Sequence, residues 1–136
     1  GELLRSSDFK DGYAIKYASS QDYKIAIISG GKNEGVRKRF EELGFFDIYL
    51  GVNYKLDVYH DLINKYSIDP KTILYMGDDI IDIPVLKKVG ISWCPADAEA
   101  DVKLLVKYIS NKNGGEGCVR EIIEQVLRAQ GNWDFN

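Results

Sequence analysis

Five short segments rich in β-branched and other apolar residues alternate with stretches whose apolar residues recur at helical spacing: Lys24–Ser29, Asp47–Leu50, Thr72–Met76, Ile91–Cys94 and Lys107–Ser110. Strands separated by helices pair in parallel, and the helices must then cover the sheet faces. The alternation therefore predicts an α/β fold with a central parallel sheet between helical layers. In the helix expected from about Asn33, Val36, Phe40 and Leu43 recur at i, i+4 and i+7, with Asn33 as N-cap and Gly44 as the C′ stop. The next helix is expected to bury Leu56, Tyr59, Leu62, Ile63 and Tyr66, and Asp69-Pro70 then opens a short turn. A last stripe, Val119, Ile122, Ile123, Val126 and Leu127, runs from Cys118 to a stop at Gly131. The opening fits this scheme less well. Residues 1–10 (GELLRSSDFK) are mostly polar and read as a hairpin or edge strand, where such a fold normally begins with a central strand; Asp11-Gly12 then introduces a helix to about Ser20.

A chain of 136 residues suits one compact domain. Its net charge of −3 supplies no broad basic face for a nucleic-acid backbone. No apolar run approaches the ~20 residues that span a bilayer, and a signal-peptide layout is missing, so the reading is cytoplasmic. Cys94 and Cys118, with His60 as the one histidine, do not make a zinc site and read as reduced, buried residues.

In an open parallel sheet, ligands bind beyond the carboxyl ends of the strands, and three of these positions carry chemistry. Ser29-Gly30-Gly31-Lys32 follows the first strand and leads into a helix. A hydroxyl, two residues without side chains and the N–H groups of a helix start can cradle a phosphoryl group, or can be an ordinary strand-to-helix turn. Lys55 falls at the start of the helix after the second strand, where a cation opposes the helix dipole at a cost of roughly 0.3–1 kcal/mol. Something negative should compensate it, unless its stem swings into solvent. After the third strand, Asp78, Asp79 and Asp82 stand within five residues. Asp82 can serve as N-cap ahead of Ile83-Pro84, with Gly77-Asp78-Asp79 as a turn. That leaves Asp78 and Asp79 adjacent and repelling, and Mg²⁺, which takes carboxylate and water oxygens beside a phosphate, is the natural cation to offset them.

Taken in order, IAIIS ending at Ser29, Lys55 and GDDIID from Gly77 to Asp82 resemble the later motifs of the haloacid dehalogenase (HAD) superfamily, with its Rossmann-like three-layer sandwich. The resemblance narrows to the cap-less phosphatases acting on 3-deoxy-D-manno-octulosonate 8-phosphate (KDO 8-phosphate). The stretches that carry it are DGYAIK at Asp11–Lys16, GVNYKLD at Gly51–Asp57, VGISWCPADA at Val89–Ala98 and GGEGCVRE at Gly114–Glu121. It implies a Mg²⁺-dependent hydrolase of phosphate monoesters in lipopolysaccharide precursor synthesis, with Asp78 and Asp79 at the metal and Ser29 on the phosphoryl group. Lys55 would neutralise charge, oriented by Asp79 and Asp82. Gly30, Gly31, Lys32 and Arg120 are the further phosphate- or substrate-binding candidates, and Arg120 and the Trp133 tail are also candidates for contacts in a homotetramer whose subunits close one another's sites.

Two departures qualify the resemblance. The family's DxDG motif, which carries the aspartate nucleophile and acid/base on the first central strand, would lie ahead of Gly1; the expectation is a single HAD-like domain over residues 1–136, lacking that strand and N-terminally incomplete. Gly31-Lys32 also replaces the arginine that the KDO 8-phosphate enzymes usually show, which leaves a nine-carbon sialic- or KDN-type acid phosphate as an alternative substrate. A non-catalytic HAD-like binding or oligomer-building domain is the second alternative.

Overall fold

The computed structural model describes Tyr17, Ser20 and residues 23–31, 34–45, 47–114 and 116–131. In chain order the elements are β1 (Ala26–Ile28), α1 (Arg37–Leu43), β2 (Asp47–Tyr49), α2 (Lys55–Tyr66), β3 (Leu74–Met76), α3 (Ile83–Leu86), β4 (Ile91–Cys94), α4 (Ala100–Leu105), β5 (Tyr108–Ile109) and α5 (Cys118–Ala129). Single 3₁₀ turns span Glu34–Val36, Pro70–Thr72 and Ile80–Asp82. The expected alternation of strand and helix is therefore present. The chain divides into two compact units, one holding the described residues up to Gly51 and from 116 onward, the other Val52–Gly114.

In the first unit β1 pairs in parallel with β2, Ala26 opposite Asp47 and Ile28 opposite Tyr49. Ile27 and Ile28 are buried, and so is Phe40 of α1, whose ring meets Phe45 edge to face at 5.5 Å. Gly44 ends α1 in the left-handed region (φ 95°), as its C′ assignment requires. The amphipathic stripe of α5 buries Cys118, Ile122 and Leu127. Of the helix expected from Asp11, Tyr17 and Ser20 are described as helical, with the Ser20 hydroxyl donating to the Tyr17 carbonyl at 2.6 Å. The hairpin expected over residues 1–10, the Asn33 cap and the Trp133 tail lie outside the described residues.

The second unit is a parallel sheet in the order β3-β4-β5, with Leu74 opposite Ile91 and Trp93 opposite Tyr108. Two apolar clusters pack beside it. One gathers Leu86, Cys94, Ala98 and Val102, the other Tyr59, Val85 and Val89, and Tyr75 of β3 packs against both. Of the five residues expected to be buried in α2, Tyr59 is fully so, while Leu56, Leu62, Ile63 and Tyr66 are half-buried. The strand expected from Thr72 begins two residues later, because Asp69 caps a 3₁₀ turn first: its carboxylate accepts from the Lys71 amide at 3.0 Å and its carbonyl accepts from the Thr72 hydroxyl at 2.7 Å. Cys94 and Cys118 are both buried, as read from the sequence.

Gly90 joins this turn to β4. Its amide donates to the Pro70 carbonyl at 2.9 Å, and a Cβ at Gly90 would lie 2.1 Å from the Lys71 carbonyl oxygen. Because the obstacle is backbone, it cannot rotate away. Gly90→Ala is therefore expected to cost about 1–3 kcal/mol of folding stability, read as a lower urea midpoint with an unchanged slope.

Candidate functional site

The second unit brings Lys55, Asp78, Asp79 and Asp82 together, and it does so around Asp82. β3 ends at Met76, and Gly77 donates its amide to the Trp93 carbonyl at 3.1 Å, so the chain leaves the sheet at a fixed point. The 3₁₀ turn Ile80–Asp82 then folds the Asp82 side chain back beneath this exit, where it is 2% exposed. Oδ2 accepts from the amides of Asp78 at 3.0 Å and Asp79 at 3.2 Å; Oδ1 accepts from Lys55 Nζ at 2.8 Å and from the Tyr75 hydroxyl at 2.8 Å. Four donors fill the four lone-pair sites of an ionised carboxylate. Burial pushes the Asp82 carboxyl upward, but the Lys55 charge and these hydrogen bonds outweigh it and hold the group below the usual carboxylate range.

This geometry settles two open readings. Lys55 opens α2 and is 8% exposed, so it is no solvated lysine, and the negative group that compensates its unfavourable place at a helix start is Asp82. Asp82, in turn, makes no side-chain cap on α3, contrary to the expectation. Its carboxylate is already filled by groups preceding it in the chain. The acid that caps is Asp79, which accepts from the Ile80 amide at 2.7 Å, with Asp82 completing a reciprocal capping box.

The three clustered acids thus have three different surroundings. Asp82 is paired, Asp79 is exposed with one oxygen on the Ile80 amide, and Asp78 is half-buried. Burial first, and then the charge of Asp82, raise the Asp78 carboxyl above its ordinary range. A desolvated carboxylate beside a like charge is stabilised by a cation. Among the described residues no group of three or more His, Cys, Asp or Glu side chains is arranged as a metal cage. The donor set on offer is one or two carboxylates, which suits Mg²⁺, an ion that keeps several waters and shares its shell with phosphate oxygens.

The other sequence candidates belong to the first unit. Ser29, at the end of β1, is 3% exposed; its amide donates to the Tyr49 carbonyl at 2.9 Å and its hydroxyl oxygen accepts from the Gly31 amide at 3.1 Å. Gly30 is exposed, Gly31 half-buried, and Lys32 lies outside the described residues. Arg120 sits in the first turn of α5, 3.8 Å from Glu124. Two residues around Asp82 were not read as part of the site. Tyr75 falls inside the expected apolar strand Thr72–Met76, and nothing in the local sequence marks its hydroxyl. Gly77 was read as a turn residue; a Cβ there would lie 2.5 Å from the Asp82 Cβ and 3.0 Å from its Oδ2, so the absent side chain is what admits the carboxylate.

Compared with known proteins, residues 46–122 match the family model of haloacid dehalogenase-like hydrolases. The 3-deoxy-D-manno-octulosonate 8-phosphate phosphatase KdsC of Escherichia coli (strain K12) is 40% identical over 134 residues, 98% of this chain and 71% of that protein. The crystal structure of 3-deoxy-D-manno-octulosonate 8-phosphate phosphatase from Yersinia pestis superposes with a TM-score of 0.87 at 36% identity, covering 90% of this chain and 66% of the other. That of the Moraxella catarrhalis phosphatase of the same name, in complex with magnesium ion, phosphate ion and a KDO molecule, superposes with a TM-score of 0.88 at 31% identity, covering 92% and 72%.

Removing the Lys55 ammonium would leave the Asp82 charge buried and half-compensated. Lys55→Met is expected to lose about 3–5 kcal/mol at pH 7. The folded carboxyl of Asp82 lies below its ordinary value of 3.8, so its contribution is fully present above that value and is lost as pH falls through the lower one. The gap between wild type and variant should accordingly narrow below about pH 4. Urea unfolding of both proteins at pH 7 and in acid checks this.

Proposed function

The chain belongs to the haloacid dehalogenase-like hydrolases, and from that premise we propose that it is a Mg²⁺-dependent phosphatase hydrolysing 3-deoxy-D-manno-octulosonate 8-phosphate. The observation that carries the reading is the buried Lys55–Asp82 pair with the half-buried carboxylate of Asp78 beside it. This combination offers a fixed positive charge and a metal ligand, the equipment phosphoryl transfer needs. The sugar follows from the relatives, which are KDO 8-phosphate phosphatases over nearly the whole chain, one of them with magnesium, phosphate and KDO bound. Neither a nine-carbon acid phosphate nor a non-catalytic role is favoured by any of them.

Lys55 has three N–H donors, of which Asp82 takes one. The other two are available to phosphoryl oxygens, where the ammonium offsets the charge that develops during transfer. Asp78 would hold Mg²⁺, with Asp79 contributing its second oxygen directly or through water; the ion supplies charge neutralisation and in-line orientation of the phosphoryl group. Ser29, whose oxygen accepts from the Gly31 amide, is assigned to the phosphoryl group on the resemblance. Gly30, Gly31 and Lys32 are assigned to phosphate binding, and Arg120 to the substrate or a neighbouring subunit, on the resemblance. The nucleophile is assigned to an aspartate ahead of Gly1, on the strand that would complete the domain. Its carboxylate would attack phosphorus while the acid/base aspartate of the same motif gives its proton to the leaving sugar oxygen; that aspartate would then take a proton from the water that cleaves the aspartyl phosphate to inorganic phosphate.

The same reading places the protein in the cytoplasm, as a homotetramer serving lipopolysaccharide precursor synthesis. Among the described residues no helix is long and apolar enough to cross a membrane.

Phosphate release from KDO 8-phosphate by the complete protein, with Mg²⁺ and after chelation, tests the assignment. Turnover should vanish with the metal and return on its addition. Lys55→Met should lower kcat about 100-fold or more per folded molecule. Wild-type turnover in that variant removes the role given to Lys55, and a higher kcat/KM on a nine-carbon acid phosphate would move the assignment to that sugar.

A further inference from the structure

Tyr75 reaches the same carboxylate oxygen that holds Lys55. Its hydroxyl donates to Asp82 Oδ1 at 2.8 Å, equal to the distance from Lys55 Nζ to that atom. Its ring packs against both apolar clusters of the unit, so β3 and the core on either side fix where the hydroxyl stands. Burial, followed by the Asp82 charge, pushes its ionisation far above the usual phenol range, so it is a donor at any working pH. Lys55, itself 8% exposed, reaches this oxygen from the start of α2. Its ammonium ends a flexible four-carbon stem, and any of its three hydrogens can meet Oδ1 along either lone pair. With one side of Oδ1 taken by a rigid phenol, the ammonium is confined to the other.

We propose that Tyr75 is a positioning residue for the phosphatase reaction: its hydroxyl, anchored by the core, occupies one face of Asp82 Oδ1 and so fixes the direction in which Lys55 presents its free N–H groups. The proposal rests on the phosphatase reading and extends it to a residue that acts through Asp82 and Lys55. It differs from the simpler view that a buried phenol merely needs some acceptor, since the acceptor found is the one atom that also aims the lysine.

Tyr75→Phe keeps the ring and removes the hydroxyl. In the complete protein with Mg²⁺, kcat should fall about tenfold or more while KM for KDO 8-phosphate changes by less than about twofold, because the misplaced charge matters most as the transition state forms. In a Lys55→Met background the same substitution should change kcat no further, since Tyr75 acts through Lys55. Incorporation of 4-aminophenylalanine at position 75 restores a donor on an unchanged ring and should recover most of the lost kcat; it also supplies the test should the phenylalanine variant prove unstable. Unaltered kcat in folded Tyr75→Phe, an equal loss in the Lys55→Met background, or a folded 4-aminophenylalanine protein no better than Tyr75→Phe would each overturn the proposal. A wild-type protein that releases no phosphate would overturn the phosphatase reading, and the proposal with it.

Discussion

The ion pair between Lys55 and Asp82 is the interaction around which the second unit is arranged. A carboxylate and an ammonium removed from water each lose several kcal/mol of hydration, and their attraction compensates only when the remaining hydrogen-bonding capacity is filled. Here it is filled on the acid: one cation, one phenol and two backbone amides meet the two oxygens of Asp82. These donors come from the start of α2, from the middle of β3 and from the turn that follows it. One buried side chain therefore fixes three pieces of backbone, and each depends on the others. Gly77 must lack a side chain for Asp82 to enter, and Asp82 must enter for Lys55 to be tolerated at a helix start.

The same arrangement explains how three acids can stand so close together. Like charges at this spacing cost stability unless each has a separate solution, and the backbone supplies two of them. Asp79 caps the 3₁₀ turn and Asp82 receives amides and a lysine, which leaves Asp78 half-buried with its carboxyl raised by desolvation and by its neighbour. The Lys55 charge offsets only part of this. In a protein whose relatives include one with magnesium bound, a raised carboxyl left at the proposed metal ligand is the expected compromise between stability and function.

Much of this was legible in the chain, for reasons that differ by element. β4 was read with its exact bounds because ISWC is short, apolar and bracketed by turn residues, and α5 with its start at Cys118 because its stripe keeps helical period for three turns. The need for an anion near Lys55 was also readable, since a cation at a helix start is locally unfavourable wherever it occurs. Which anion answers it was not readable from local spacing: the resemblance offered Asp79 and Asp82 together, and of the two it is Asp82 that takes the lysine. Asp82 lies 27 residues away, and local spacing made it a good N-cap for Ile83-Pro84. The tertiary contact won because a buried lysine offers an acid more than a cap position does. Thr72 shows the opposite case, in which a local signal, the Asp69 carboxylate, overrode the β propensity of the segment.

Tyr59 and Tyr75 contrast two uses of one residue type within the same unit. The Tyr59 hydroxyl is buried with no partner among the described residues, and burial alone raises its ionisation. Its contribution is the ring, which fills the cluster with Val85 and Val89. Tyr75 packs against that cluster and against the second one as well, yet its hydroxyl emerges at the single carboxylate that pairs with Lys55. If packing alone had selected a large aromatic in β3, phenylalanine would serve and would leave no polar group to satisfy. A phenol at this point adds a fourth donor to an acid that a buried ammonium already neutralises, and what that donor changes is the geometry of the pair more than its charge.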